Sequence, residues 1–418
     1  VSRAFDAASI PKNVHAIADT LRARGHRAWV VGGCVRDVLL GRVAKDWDLA
    51  TTALPDEVVR AFRRVVPTGI QHGTVTVVLG GIGYEVTTLR GESTYTDGRR
   101  PDAVHFVATI DEDLARRDFT VNAIAVDPST GALVDPWGGL GDLDARVIRA
   151  VRDPRERFAE DGLRILRAAR FVATLEMTLD PATEAAIPGA LATFAKVSAE
   201  RVRDEWEKAC RARRASPAFA VMRRTGMLAM TAPMTTQLDD AVFDLALRRM
   251  DGVRAALAMR VGALLGWVDV EQREIDRWLQ SLRFSNDDRK LVLAIHAHAR
   301  ALQAPLDGPA RRRWLAALGL ETALAVIEVA RADALARNVA DATVELEAAV
   351  RADVAACVPL AIRDLAVNGG DLMQQLGVAP GPELGRILAA LFERTLDDPS
   401  QNDRGLLLEH AAKLRDRS

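Results

Sequence analysis

The run Val30-Val31-Gly32-Gly33-Cys34-Val35-Arg36-Asp37, followed by Asp46-Trp47-Asp48-Leu49-Ala50, decides the reading of this chain. Gly32 and Gly33 let the backbone approach a phosphate closely, and the helix they open adds partial positive charge. Arg36, one turn in, brings a cation to the same place. Side chains alternate along a strand, so a strand over Asp46–Ala50 sends Asp46 and Asp48 to one face and Trp47 into the fold. Two carboxylates roughly 6–7 Å apart on one strand face can share a pair of Mg²⁺ ions. The combination describes a site for a nucleoside triphosphate. On spacing alone, a strand-end acid pair making local hydrogen bonds remains the alternative.

The rest of the chain narrows the class. Hydrophobic residues make up 49% and charged residues 27%, and 418 residues predict about two to four domains. No apolar run reaches the length of a membrane span. Cys34, Cys210 and Cys357 are scattered and form no CxxC pair, which argues against a thiolate zinc site and for a reducing cytoplasm. Net charge is −1, so any nucleic-acid surface must be local.

The composition changes near residue 150. Fifteen of the 29 glycines precede residue 151, among short β-branched segments. Strands are expected at Arg27–Val31, Asp46–Ala50, Thr74–Leu79 and Tyr84–Leu89, the last two forming a hairpin that brings Glu85 alongside as a third carboxylate. Helices fit Pro11–Arg24, Val35–Leu40 and Pro55–Phe62. Beyond residue 155 the spacing is helical, as in Glu200–Arg214, Ala241–Leu265 and Thr322–Ala336. The expected fold is α+β: a mixed α/β head at 1–145, then an elongated all-α part with a neck at 146–214, a body at 215–303 and a tail at 304–418.

Five ordered segments resemble one family. Val30–Thr51 looks like the first motif of the class II tRNA nucleotidyltransferases, which include bacterial poly(A) polymerases and belong to the polymerase-beta-like superfamily. Arg116-Arg117-Asp118-Phe119-Thr120-Val121-Asn122-Ala123 resembles the second, and Asp135-Pro136-Trp137-Gly138-Gly139 with Asp142-Leu143 the third. Arg157 to Phe171, containing Glu160-Asp161-Gly162-Leu163-Arg164, resembles the fourth, and Ser198 to Glu205 the fifth. By position, the resemblance implies that Asp46 and Asp48 bind the two metals. It also implies that Gly33, Arg36 and Arg117 contact the nucleotide, with Asp118 near the ribose, where a carboxylate can accept from a 2′-OH.

The fourth motif also has a reading of its own. On one helix, Asp161, Arg164, Arg167 and Arg170 are successive i, i+3 neighbours. A carboxylate only accepts hydrogen bonds and a guanidinium only donates. Asp161 with Arg164 therefore matches the amino group and ring acceptor shared by cytosine and adenine. Uracil and guanine reverse that pattern and leave buried groups unpaired, at about 1–3 kcal/mol each. Arg167 and Arg170 remain for phosphate or for the fold. From Arg146 to Arg170 there are eight arginines against four acids, a local excess suited to triphosphate and RNA. An exposed helix laced with ion pairs is the competing explanation.

Val66 to Val77 resembles the CCA-adding branch and lacks the arginine-rich block of the poly(A) branch. The segment Arg90–Phe106, with Arg99-Arg100, resembles the flexible loop that the final A requires. The expected activity is addition of C, C and A to a tRNA 3′ end from CTP and ATP, with two Mg²⁺ ions and without a nucleic-acid template. An A-adding enzyme or a poly(A) polymerase is the alternative, and a non-catalytic RNA-binding protein a third reading. Arg311–Arg313 and Arg211, Arg213 and Arg214 are candidate contacts for RNA phosphates, with an ordinary solvated face as the alternative. His296-Ala297-His298 lacks a His-Asp dyad, so no phosphohydrolase site is expected there.

Overall fold

The computed structural model describes residues 5–91, 105–303 and 306–415. Arg99 and Arg100 of the expected loop lie outside the described residues. The chain forms two compact units, Val1–Pro233 and Met234–Ser418.

The first unit is built on a seven-stranded mixed sheet. Its elements are α1 (Lys12–Arg22), β1 (Ala28–Val31), α2 (Gly33–Leu39), β2 (Asp48–Thr51), α3 (Pro55–Ala61), β3 (Val65–Gly69), β4 (Thr74–Leu79) and β5 (Ile82–Thr88). Then follow α4 (Ile110–Ala115), β6 (Ala125–Val126), β7 (Leu133–Val134) and α5 (Gly139–Ala145). The strand order is β3-β4-β5-β2-β1-β6-β7. β1 is buried along its whole length, as a central strand covered on both faces must be. Only the β2–β5 pair is parallel within this sheet, with Leu49 opposite Val86 and Ala50 opposite Thr87. One residue earlier in that register, Asp48 stands beside Glu85. Trp29, Val31, Ala50, Leu89, Leu114 and Ala123 close a core beneath.

A short parallel pair, β8 (Val147–Ile148) with β9 (Thr178–Leu179), frames the next two helices, α6 (Pro154–Glu160) and α7 (Leu163–Leu175). Five further helices complete the unit: α8 (Pro181–Ala185), α9 (Leu191–Phe194), α10 (Ala199–Cys210), α11 (Ser216–Arg224) and α12 (Met227–Thr231). α7 buries Ile165, Leu166, Ala168, Ala169 and Val172 on its apolar side. At the break before it only glycine fits at position 162, because an added Cβ would fall 2.5 Å from the Phe194 backbone nitrogen.

The second unit is helical: α13 (Asp240–Gly252), α14 (Leu257–Leu265), α15 (Gln272–Ser281), α16 (Asn286–His298), α17 (Gly308–Leu318), α18 (Leu320–Arg337), α19 (Thr343–Ala355), α20 (Gly369–Leu376), α21 (Pro382–Asp397) and α22 (Arg404–Arg415). The helix expected over Ala241–Leu265 is thus two, separated at Val253–Ala256. Arg249 and Asp333 pair at 2.8 Å inside this unit, both almost wholly buried. α20 to α22 close their own core on Leu372, Ile387, Leu391 and Leu407. No helix of the described residues is long and apolar enough to cross a membrane.

Candidate active site

One cavity of about 520 Å³ in the first unit gathers most of the residues singled out by sequence. Gly32, Gly33, Arg36, Asp48, Glu85, Arg117, Asp118, Asp161, Arg164, Arg167 and Arg170 all line it. Its wall carries eight arginines against five carboxylates, a balance that suits a polyanion.

The glycine side of the cavity starts at Gly32, which turns the chain from β1 into α2 with φ 81° and ψ −136°, a conformation that costs any side chain. Arg117 lies against that backbone, its Nη1 2.9 Å from where a Cβ would stand. The Arg117 Nε–H is buried and has no partner among the described residues. Its Nη2 donates to Asp113 at 3.2 Å, and Arg116 pairs with the same carboxylate at 2.6 Å. Burial alone would raise the Asp113 carboxyl, but the two guanidinia hold it below the ordinary range.

On the acidic side, burial, then Glu85, then Asp46 push the Asp48 carboxyl up to about 6 against the opposing pull of Arg117. Asp46 differs from the expectation. β2 begins at Asp48, which pairs with Val31, the last residue of β1, so Asp46 has no ladder partner and is exposed outside the cavity wall. Trp47 does point into the fold. Burial pushes the neighbouring Cys34 thiol up to about 11, so it packs as a protonated side chain.

The third wall is a chain of charged groups around α7. Arg36 donates to Asn122 Oδ1 at 2.5 Å, Asn122 donates to Asp118 at 3.0 Å, and Arg167 pairs with Asp118 at 2.6 Å. Arg36, Arg167 and Arg170 all sit over the Phe171 ring. Burial would raise the Asp118 carboxyl, but Arg167 and Asn122 hold it well below the usual range. It also accepts the Phe119 N–H at 2.8 Å, so the group expected near the ribose is already heavily engaged by the protein. Arg170 is tied to buried Glu205, which Lys208 also contacts at 3.0 Å.

Asp161 differs too. It is not the first member of a helical stripe: it ends α6 with extended φ −141°, ahead of the Gly162 break. Its carboxylate accepts the Leu163 N–H at 3.0 Å and an Arg201 Nη2–H at 2.7 Å. Arg164 donates to Glu160, to the Arg157 carbonyl and to the Arg116 carbonyl.

The sequence models for the Poly A polymerase head domain, the RNA and SrmB binding site of polymerase A, and tRNA nucleotidyltransferase domain 2 match residues 28–149, 176–238 and 261–411. The CCA-adding enzyme of Lactiplantibacillus plantarum is 36% identical over 414 residues, covering 96% of this chain and 95% of that protein. The chain belongs to the family of CCA-adding enzymes. The CCA-adding enzyme of a Geobacillus species is 38% identical over 382 residues, 91% of each protein. The crystal structure of the Bacillus stearothermophilus CCA-adding enzyme in complex with CTP superposes with a TM-score of 0.79 at 32% identity, over 97% of each chain.

CCA-adding enzymes are nucleotidyltransferases, a class that depends on divalent metal, and the donors here fit a hard cation. Glu85 stands beside Asp48 and helps to raise the Asp48 carboxyl, a cost that a cation would remove. Among the described residues no three His, Cys, Asp or Glu side chains already surround one point, so phosphate and water oxygens must complete any such site. The arginines of both units expected at RNA phosphates also have partners within the protein. Arg311 pairs with Asp353, Arg312 donates to the Leu396 and Asp397 carbonyls, and Arg313 pairs with Glu393 and Asp397. Arg211 pairs with Glu207 and Arg213 with Glu176, while Arg214 reaches Ser216. Sequence reasoning gave no role to Asp113, Asn122 or Arg201. The spacing of Asp113 to Arg116 and Arg117 was a usable signal, because i, i+3 and i+4 residues meet on a helix.

Proposed function

We propose that this chain adds C, C and A to the 3′ end of tRNA, using CTP and ATP and no nucleic-acid template. The observation that carries the reading is the single cavity in which Asp48 and Glu85 face a wall bearing Asp161 and Arg164. Asp48 and Glu85 at the cavity wall, joined by Asp46 from the exposed segment just before β2, would hold two Mg²⁺ ions, which would supply charge neutralisation for the triphosphate and the leaving pyrophosphate. Gly32, Gly33, Arg36 and Arg117 receive the triphosphate; the unpartnered Arg117 Nε–H supports that role. Asp161 accepts the amino group of cytosine or adenine and Arg164 donates to the ring acceptor. The tRNA 3′-oxygen then bonds to the α-phosphorus as the bond to the bridging oxygen of pyrophosphate breaks. Asp118, Arg167 and Arg170 brace this wall through Asn122, Phe171 and Glu205.

The 90–106 segment, with Arg99 and Arg100, serves the A step, and the helices of 304–418 hold the tRNA. A tRNA substrate and three free cysteines favour the cytoplasm. The test offers three acceptors, tRNA lacking CCA, tRNA ending in CC and an unrelated RNA, with CTP and ATP supplied separately. The reading requires CTP incorporation only on the first and ATP incorporation on the second. ATP incorporation alone would assign an A-adding enzyme, and long A tails on any RNA a poly(A) polymerase.

A further inference from the structure

We propose that Asp113 is a positioning residue for the triphosphate: it fixes the Arg117 guanidinium beside the Gly32 turn, where the phosphates bind. The inference rests on the triphosphate role of Arg117 proposed above. Asp113 belongs to α4, and its side chain is almost wholly buried in the cavity wall. Its two oxygens have separate tasks. Oδ1 accepts the Arg116 Nη2–H at 2.6 Å and Nε–H at 3.0 Å, together with the Arg90 backbone N–H at 3.3 Å. The Arg116 Nε–H also reaches the Arg90 carbonyl at 3.0 Å, so the carboxylate is pinned to backbone just beyond β5. Oδ2 accepts from Arg117 Nη2 at 3.2 Å. Arg117 Nη1 donates to the Asn122 carbonyl at 3.4 Å and lies against Gly32. Both ends of the guanidinium fork are therefore held, while its buried Nε–H has no partner among the described residues.

Neither fold stability nor the field of the cavity accounts for this carboxylate. A buried ion pair is by itself weak support for the fold, because taking the charges out of water offsets their attraction. For anion binding, an acid in the wall is worse than a neutral group: it repels phosphate and cancels part of the guanidinium charge. Geometry supplies the reason instead. An arginine side chain has much rotamer freedom to lose, and one already held in place loses less when a phosphate arrives. Asp113 gives up some attraction for the triphosphate and gains a fixed donor to meet it.

The test measures the dissociation constant of inorganic tripolyphosphate by calorimetry, with EDTA present so that the metal site takes no part. It compares the parent with Asp113→Asn, Asp113→Glu, Arg117→Ala and the Asp113→Asn/Arg117→Ala double variant, and melting temperature is recorded for each. In Asp113→Asn the amide oxygen serves the donors of Arg116 and Arg90, which leaves the amide NH₂ facing the Arg117 Nη2 donor. Tripolyphosphate should bind roughly ten-fold more weakly, although the wall has lost a negative charge, and KM for CTP and ATP should rise alike. Asp113→Glu keeps the charge but displaces it, and should weaken binding too. The double variant should bind no worse than Arg117→Ala alone. Tighter or unchanged binding in Asp113→Asn would overturn the proposal, since it would leave the carboxylate only its field or, with a lowered melting temperature, only a part in the fold. Additive losses in the double variant would overturn it as well. If Arg117→Ala itself leaves tripolyphosphate binding unchanged, the phosphate role of Arg117 fails and the proposal falls with it.

Discussion

Lowering the pH from 7 to 5 should weaken metal binding about ten-fold through one side chain, Asp48. Its carboxyl sits near 6 rather than the ordinary 3.8, because burial, Glu85 and Asp46 all disfavour the charge. A cation binds the ionised form, so affinity is complete above that value and lost as pH falls through it. The ionised fraction drops from about nine-tenths at pH 7 to about one-tenth at pH 5, which gives the ten-fold figure. An aspartate at its ordinary value would still be almost wholly ionised at pH 5. Calorimetric titration of Mn²⁺ into the protein at half-unit pH steps measures this directly. Removing the repelling neighbour by Glu85→Gln should move the midpoint down toward the ordinary range. A flat affinity from pH 7 to 5, or a midpoint unmoved in Glu85→Gln, would refute the placement of these two carboxylates against one another.

Asp48→Ala should abolish nucleotide incorporation while leaving the circular dichroism spectrum and melting temperature near those of the parent; retained turnover would remove Asp48 from the chemistry. Gly32→Ala puts a methyl group at φ 81° and 2.9 Å from Arg117 Nη1. It should cost about 1–2 kcal/mol and raise the KM for CTP and ATP alike, by about ten-fold at most, with base preference intact. Asp333→Ala strands Arg249 in the interior of the second unit and leaves Arg337 without its carboxylate. Denaturant unfolding should show a loss of about 3–5 kcal/mol, and kcat of the folded fraction should not change.

The sequence exposed the site better than the element boundaries, for physical reasons. Gly32 is legible because a turn at positive φ tolerates little else, whatever surrounds it. The start of β2 is not, because it is set by where β1 runs out of partners at Val31, and Asp46 lies two residues ahead of it. The break at Asp161 is hidden because local spacing continues across it, while the close neighbour that demands glycine at 162 is the Phe194 backbone, thirty-two residues away. β3 escaped notice because Pro67 and exposed side chains mark a loop by composition, yet an edge strand tolerates both. The pairing of the arginine clusters is hidden for a similar reason: the partners of Arg311 to Arg313 lie 42 to 85 residues further along. Motif spacing captures groups that share a local element, and long-range pairing decides which of them remain available.

The central claim is that one cavity holds the metal-binding carboxylates and the base reader together. A crystal structure with CTP and Mg²⁺ measures this most directly. The account predicts the cytosine amino group within hydrogen-bond distance of Asp161, Arg164 on the ring acceptor, phosphates against Gly32 and Gly33, and metal on Asp48. A cytosine ring bound away from Asp161 and Arg164, with its triphosphate still at Gly32, would contradict it.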